Sequence, residues 1–380
     1  MWPCINSKAN CIDSKDMRTV LLFLWSKSSS IRWGPGWGQR WGLGLGVATV
    51  MALIMALTSV AEAQWLPAFG RSRIGTAGFQ FLKIQPDARS AAMAGNAINL
   101  VNEPGVMFWN PAGLVHGADR PWAGQVNHLS YWSGIRMQSA TLARRMESGD
   151  VMAFGLRHLQ TGAMPVTTEF QPMGTGQTFN ATNTSMGLAY ARPLTDRFAL
   201  GLSLNWIYEQ MPDWRVHNAT VDMGFRYDIG WREMRLAVGI NHFGMNVTPQ
   251  GRLLRPSLSR TDTLGTFESL APPTVLRLGL SGLVYREGEH KIDGVVQLNH
   301  PTDQAESLGA AMEYSYRDLM FVRGGYEHQP GVGQWPSWGL GWSLPRAFGN
   351  LRLDYAFAGR QGLGPIHRLG VMVAWGSVND

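Results

Sequence analysis

The feature that most constrains this chain is a period-two alternation of bulky apolar with small or polar side chains, which repeats from Trp122 almost to the last residue. In an extended strand successive side chains point to opposite faces, so each such segment sorts its residues onto two surfaces. Between Phe198 and Glu209 one surface carries Phe198, Leu200, Leu202, Leu204, Trp206 and Tyr208, and the other Ala199, Gly201, Ser203, Asn205, Ile207 and Glu209. Ala219 to Ile229 divides the same way, with Thr220, Asp222, Gly224, Arg226 and Asp228 on the polar side; Leu351 to Ala358 sets Arg352 and Asp354 beside Ala356.

A soluble sandwich would also alternate, and three further observations separate the two cases. The bulky surface ends in aromatics, among them Trp206, Tyr208, Tyr227, Tyr314, Tyr316, Tyr355, Phe357 and Trp375, as the two lipid boundaries of a membrane barrel require. The segments run about 9–12 residues, enough to cross a bilayer at a tilt, whereas soluble strands cluster near 5–6. Many connections are short, as at Ser133-Gly134, Glu147 to Asp150 and Tyr316 to Asp318. Hairpin-linked neighbours build an antiparallel sheet, and hydrocarbon tolerates only a closed one. The expected fold class is therefore all-β, a transmembrane antiparallel β-barrel of about 14 strands.

The strand segments read as 123–132, 137–146, 151–160, 182–192, 197–209, 218–229, 234–243, 273–285, 291–300, 305–316, 319–328, 336–343, 350–358 and 366–375. Longer connections fall at 161–181, 209–217, 244–272 and 329–335, and such barrels carry their long loops outside the cell. Asn246 to Ala271 is the largest and the best placed to meet a partner. Alternation along Leu369, Val371, Val373 and Trp375 marks the closing strand that barrel assembly machinery would recognise; Ser377 to Asp380 form a short tail.

Ahead of the barrel, Gly42 to Ala61 is the one run approaching the about 20 apolar residues of a membrane helix. Arg32 and Arg40 precede it, and Ala61 and Ala63 supply the small-x-small pattern of signal cleavage after Ala63. Residues 1–63 are thus expected to be a signal peptide with an amino-terminal extension. A start at Met17 would bring its length nearer the usual range. Cys4 and Cys11 both lie there, which leaves the exported chain neither disulfides nor thiolate chemistry. Removing this leader lowers the net charge from +6 to +3, and no basic stripe follows, so nucleic acid is not an expected partner.

Residues 64–121 do not alternate. They hold the small-residue run Ala88 to Gly95 and the turn-forming Asn110-Pro111-Ala112-Gly113, and their expected place is the lumen, as a plug. The barrel proper is assigned to 122–376. Gly75 to Ile84, Ala88 to Gly95 and Trp109 to Leu114, together with Leu298 to Pro301, Arg323 to Tyr326, Leu353 to Ala356 and His367 to Gly370, resemble the PorV/PorQ family, a branch similar to FadL-type barrels. The sequence differs from that pattern in having Gly95-Asn96-Ala97 for Gly-Gly-Ala and Asn102-Glu103 for an acidic pair. The resemblance implies a type IX secretion component of the outer membrane that binds or shuttles exported cargo, with cargo and attachment proteins as partners. The alternative it leaves open is FadL-like transport of hydrophobic compounds.

No catalytic set, cofactor loop or metal cluster emerges. His158, His242, His300 and His367 are scattered along strands, whereas a metal site needs ligands that converge. Asp222, Arg226, Arg277, Glu313, Arg323, Arg352 and Asp354 form a charged series on the inward surface. They read as mixed charges pairing across a solvated interior, against the alternatives of a permeation path or a clamp on the plug.

Overall fold

The computed structural model describes residues 74–100, 103–117, 120–256, 261–264, 267–346, 349–360 and 362–376. The proposed leader, with Ala61 and Ala63, and the tail 377–380 lie outside the described residues. Among the described residues, fourteen long strands follow one another: β1 (Trp122–Ser130), β2 (Arg136–Arg145), β3 (Val151–Gln160), β4 (Thr182–Thr195), β5 (Phe198–Gln210), β6 (Trp214–Asp228), β7 (Arg235–Gly244), β8 (Val275–Glu287), β9 (His290–Pro301), β10 (Ser307–Tyr316), β11 (Met320–His328), β12 (Ser337–Arg346), β13 (Gly349–Arg360) and β14 (Gly364–Trp375). Each pairs antiparallel with its neighbours, and β14 returns to pair with β1 from Trp122↔Trp375 to Ser130↔His367. The sheet is closed, so every strand finds backbone partners on both sides, the condition for crossing hydrocarbon.

The alternation resolves into an inside and an outside. On β5, Leu204 is 60% exposed while its neighbour Asn205 is 1% exposed. Large apolar side chains thus face out and polar ones face in, the reverse of a water-soluble core. Connections at one end are tight: 146–150, 196–197, 229–234, 288–289 and 317–319. The opposite end bears 161–181 and 245–274, each with a small hairpin of its own (Met164–Pro165 with Thr178–Phe179; Leu253–Pro256 with Thr261–Leu264). By the loop-length rule the latter end faces outward from the cell.

One expected loop shrinks. Instead of 209–217, only 211–213 separate β5 from β6, because Trp214 to His217 keep alternating and Val216 turns inward onto a buried cluster. One strand is irregular: between Val221/Phe243 and Met223/Ile240 the register slips, so Asn241 and His242 both face inward and His242 takes φ 60°. That is a bulge, with two residues opposing one.

Candidate functional site

The lumen is filled by residues 74–100 and 103–117, which run from contacts at its loop end to contacts at its turn end. At the loop end, the amide of Gly78 donates to the Ala271 carbonyl (2.9 Å) and Lys83 pairs with Asp303 (2.8 Å). Phe79, Phe81 and Leu82 pack on Leu129, Met137, Leu159, Ile207, Val216 and Ile366; full burial of such side chains contributes about 1.5–3 kcal/mol each. At the turn end, Arg145 donates to the Val115 carbonyl and His116 contacts Asp228 (3.1 Å).

Between these ends local chemistry fixes short turns. Asp87 opens helix α1 (Ala88–Ala92) by accepting from the Ser90 amide (2.7 Å), and it also takes the Trp109 indole N–H (3.1 Å). Asn110 caps the 3-10 turn Pro111–His116 by accepting from the Ala112 amide (3.1 Å), with Pro111 at the first turn position where its missing N–H is harmless. Its amide donates outward to the Phe225 carbonyl on β6 (3.3 Å), while Gly113 lies against Val106. The Asn110, Pro111, Ala112, Gly113 motif is thus a capped turn buried in the lumen. Asn96 and Asn99 likewise donate to wall carbonyls, at Tyr326 (3.3 Å) and Arg235 (2.7 Å). Wall side chains reciprocate: Gln297 and Gln125 accept from the Ile98 and Gly105 amides, and Arg157 donates to the Leu82 carbonyl.

The wall makes room by omitting side chains. A β-carbon on Gly155, Gly201, Gly224, Gly279, Gly309 or Gly325 would come within 3.0 Å of a plug atom. These six sit on six different strands, so the plug is gripped from most directions at van der Waals contact.

Toward the turn end the charges close a ring. Arg89 of the plug donates to Glu313 (2.6 Å), Glu313 accepts from Arg323, and Arg323 reaches Asp354. Asp354 forms an ion pair with Arg352 (3.3 Å), Arg352 a second one with Glu103 (3.3 Å), and Glu103 accepts from Arg89 (3.2 Å). Three guanidiniums alternate with three carboxylates, all but Arg352 buried, and Arg352 lies over the Phe321 ring at 4.2 Å. Paired formal charges in low dielectric hold one another strongly, and losing one member leaves an uncompensated buried charge.

Of the seven inward charges read from the sequence, Glu313, Arg323, Arg352 and Asp354 meet in this ring and the other three do not. Asp222 accepts from the His242 amide (2.6 Å) and from Ser203 and Asn205 at the bulge. Arg226 pairs with Asp228, and Arg277 donates to Asn241 and stacks over Trp109. The expectation of a solvated interior fails here, because the plug occupies the space that water would fill. Arg89 and Glu103 were missed, although with Asp87 they are the only charged residues between Lys83 and His116. Among the described residues no three or more His, Cys, Asp or Glu gather as metal ligands.

Fold and lumen together define an outer-membrane β-barrel closed by an amino-terminal plug. No family model matches the chain, and no characterised protein matches it in sequence. Solved structures do share the fold: the Pseudomonas putida toluene transporter TodX (11% identity, 76% of this chain, 97% of that one, TM-score 0.53), the Ralstonia pickettii toluene transporter TbuX (12%, 79%, 98%, 0.51) and a TodX deltaS2S3 mutant described as a monoaromatic hydrocarbon channel (12%, 76%, 98%, 0.54).

Proposed function

We propose that this outer-membrane barrel works at its loop-bearing face as a binding or shuttle component for exported proteins, of the PorV/PorQ type associated with type IX secretion. The observation that carries this reading is the clamped plug. A lumen held shut by a six-charge ring with five buried members and by close contact with wall glycines is poorly suited to conduction, which leaves the loops as the working surface. Those loops present apolar side chains to solvent, with Phe170 78%, Met173 97% and Met245 83% exposed, as protein-recognition surfaces do. The family resemblance of residues 75–114 points the same way. In a pull-down from detergent-solubilised membranes, the carboxy-terminal signal domain of an exported protein should retain the intact chain and release a variant lacking the 253–264 hairpin. Equal retention of both would remove the loops from the proposal.

A second reading, transport of hydrophobic compounds, draws on the fold shared with toluene transporters and on the bulge at Asn241-His242, where a wall strand loosens beside the plug. Uptake of a radiolabelled aromatic hydrocarbon that depends on the protein, in cells where no cargo domain is retained, would favour it.

A further inference from the structure

The outward apolar belt is much shorter on β1 than on β5. On β5 six successive outward positions are apolar or aromatic, from Phe198 to Tyr208; at about 3.4 Å per residue and a tilt near 40° these cover roughly 26 Å, a full hydrocarbon belt. On β1 the outward series is Trp122, Gly124, Val126 and then His128 and Ser130, so its apolar part covers roughly 10 Å by the same geometry. The break continues sideways in register. His128 pairs with Gln138, Gln138 with His158 and His158 with Thr184; one row higher Ser130, Arg136, Gln160 and Thr182 are joined in the same way. All eight stand on the outward face, since the residues between them, such as Asn127, Leu129, Ser139 and Arg157, are buried.

The outer aromatic boundary is interrupted over β1 to β3. It is present on β5 and β6, where Trp206 and Tyr208 stack beside His217, and on β12 to β14, where Trp338 stacks on Phe357 and Tyr355 bonds His367 (2.8 Å). Above β1 and β2 the available side chains, Tyr131, Trp132 and Ile135, instead fold inward onto the Phe79 cluster.

From this we infer that the outer leaflet dips over β1 to β3, its headgroup layer and water descending to His128, Gln138 and His158, while Thr184 on β4 pairs with Tyr208 at the edge of the intact boundary. Hydrocarbon cannot solvate two rows of hydrogen-bonding side chains, and a bilayer meeting a short belt responds by thinning. A covering protein is less well matched to the pattern. The polar rows run unbroken to the strand tops with no apolar row above them, and Arg136 is the only formal charge, whereas a contact buried in hydrocarbon would be framed by apolar rows on both sides. The dip is set by the wall alone and holds whatever the barrel carries or binds.

The chain's only cysteines, Cys4 and Cys11, can be changed to serine to give a background for single-cysteine probes. His128→Cys, Gln138→Cys and Ser130→Cys, each first required to show the heat-modifiable mobility of a folded barrel, are reacted with a water-soluble maleimide in proteoliposomes. They should label within about tenfold of the loop position Met173→Cys, while Leu204→Cys on β5 stays unreactive. A nitroxide at position 138 should likewise be relaxed more by a water-soluble nickel chelate than by oxygen. Unreactive cysteines with an oxygen-relaxed nitroxide would place the row in hydrocarbon and overturn the inference. In native outer-membrane vesicles, shielding from both reagents would also overturn it, showing a protein seated on the flank.

Discussion

At the residue scale, the ring joining Arg89, Glu313, Arg323, Asp354, Arg352 and Glu103 is where the plug's attachment is decided. Changing Arg89 to Met should lower unfolding stability by about 3–5 kcal/mol, because Glu103 and Glu313 each lose a buried partner, and adding Glu313→Gln should restore part of it. Urea unfolding in micelles measures both; a loss below about 1 kcal/mol for the single variant would mean that the ring behaves like a solvated surface pair. Four of the ring's six members were open to inference from the chain alone. Arg352 and Asp354 alternate on one face, and Glu313 faces Arg323 across a hairpin. The plug members were not, since Arg89 lies 224 positions from Glu313 and nothing local signals a contact that only barrel closure creates.

At the scale of elements, strands were legible wherever bulk and polarity alternate, and all fourteen segments recur with their ends shifted by a few residues. Strand ends were harder to read. The β5–β6 turn was overestimated because past the aromatic boundary the outward residues turn polar, as Gln210 and Arg215 do, while the backbone ladder continues. The plug's turns were partly visible: Asn110-Pro111-Ala112-Gly113 announces a capped turn, yet its partner carbonyl at Phe225 depends on tertiary placement. The closing strand β14 pairs along its length with both β1 and β13. Deleting 366–380 should therefore abolish the heat-modifiable band in outer-membrane fractions, because both neighbours would be left with unpaired backbone in lipid. A normal band would mean that the barrel can close without it.

At the scale of the whole molecule, a closed wall around a filled lumen predicts electrical silence. Purified protein in planar bilayers should give no stepwise conductance at moderate voltage. Regular steps from the unmodified chain would show that residues 74–117 leave the lumen readily, which would shift the weight toward the transport reading.

Because the plug segment passes all the way through, Ile74 and Gly117 open onto two different aqueous compartments. Between those two ends Arg89 and Glu103 tie the segment to the wall, so displacing one end would have to break buried ion pairs before the movement reached the other.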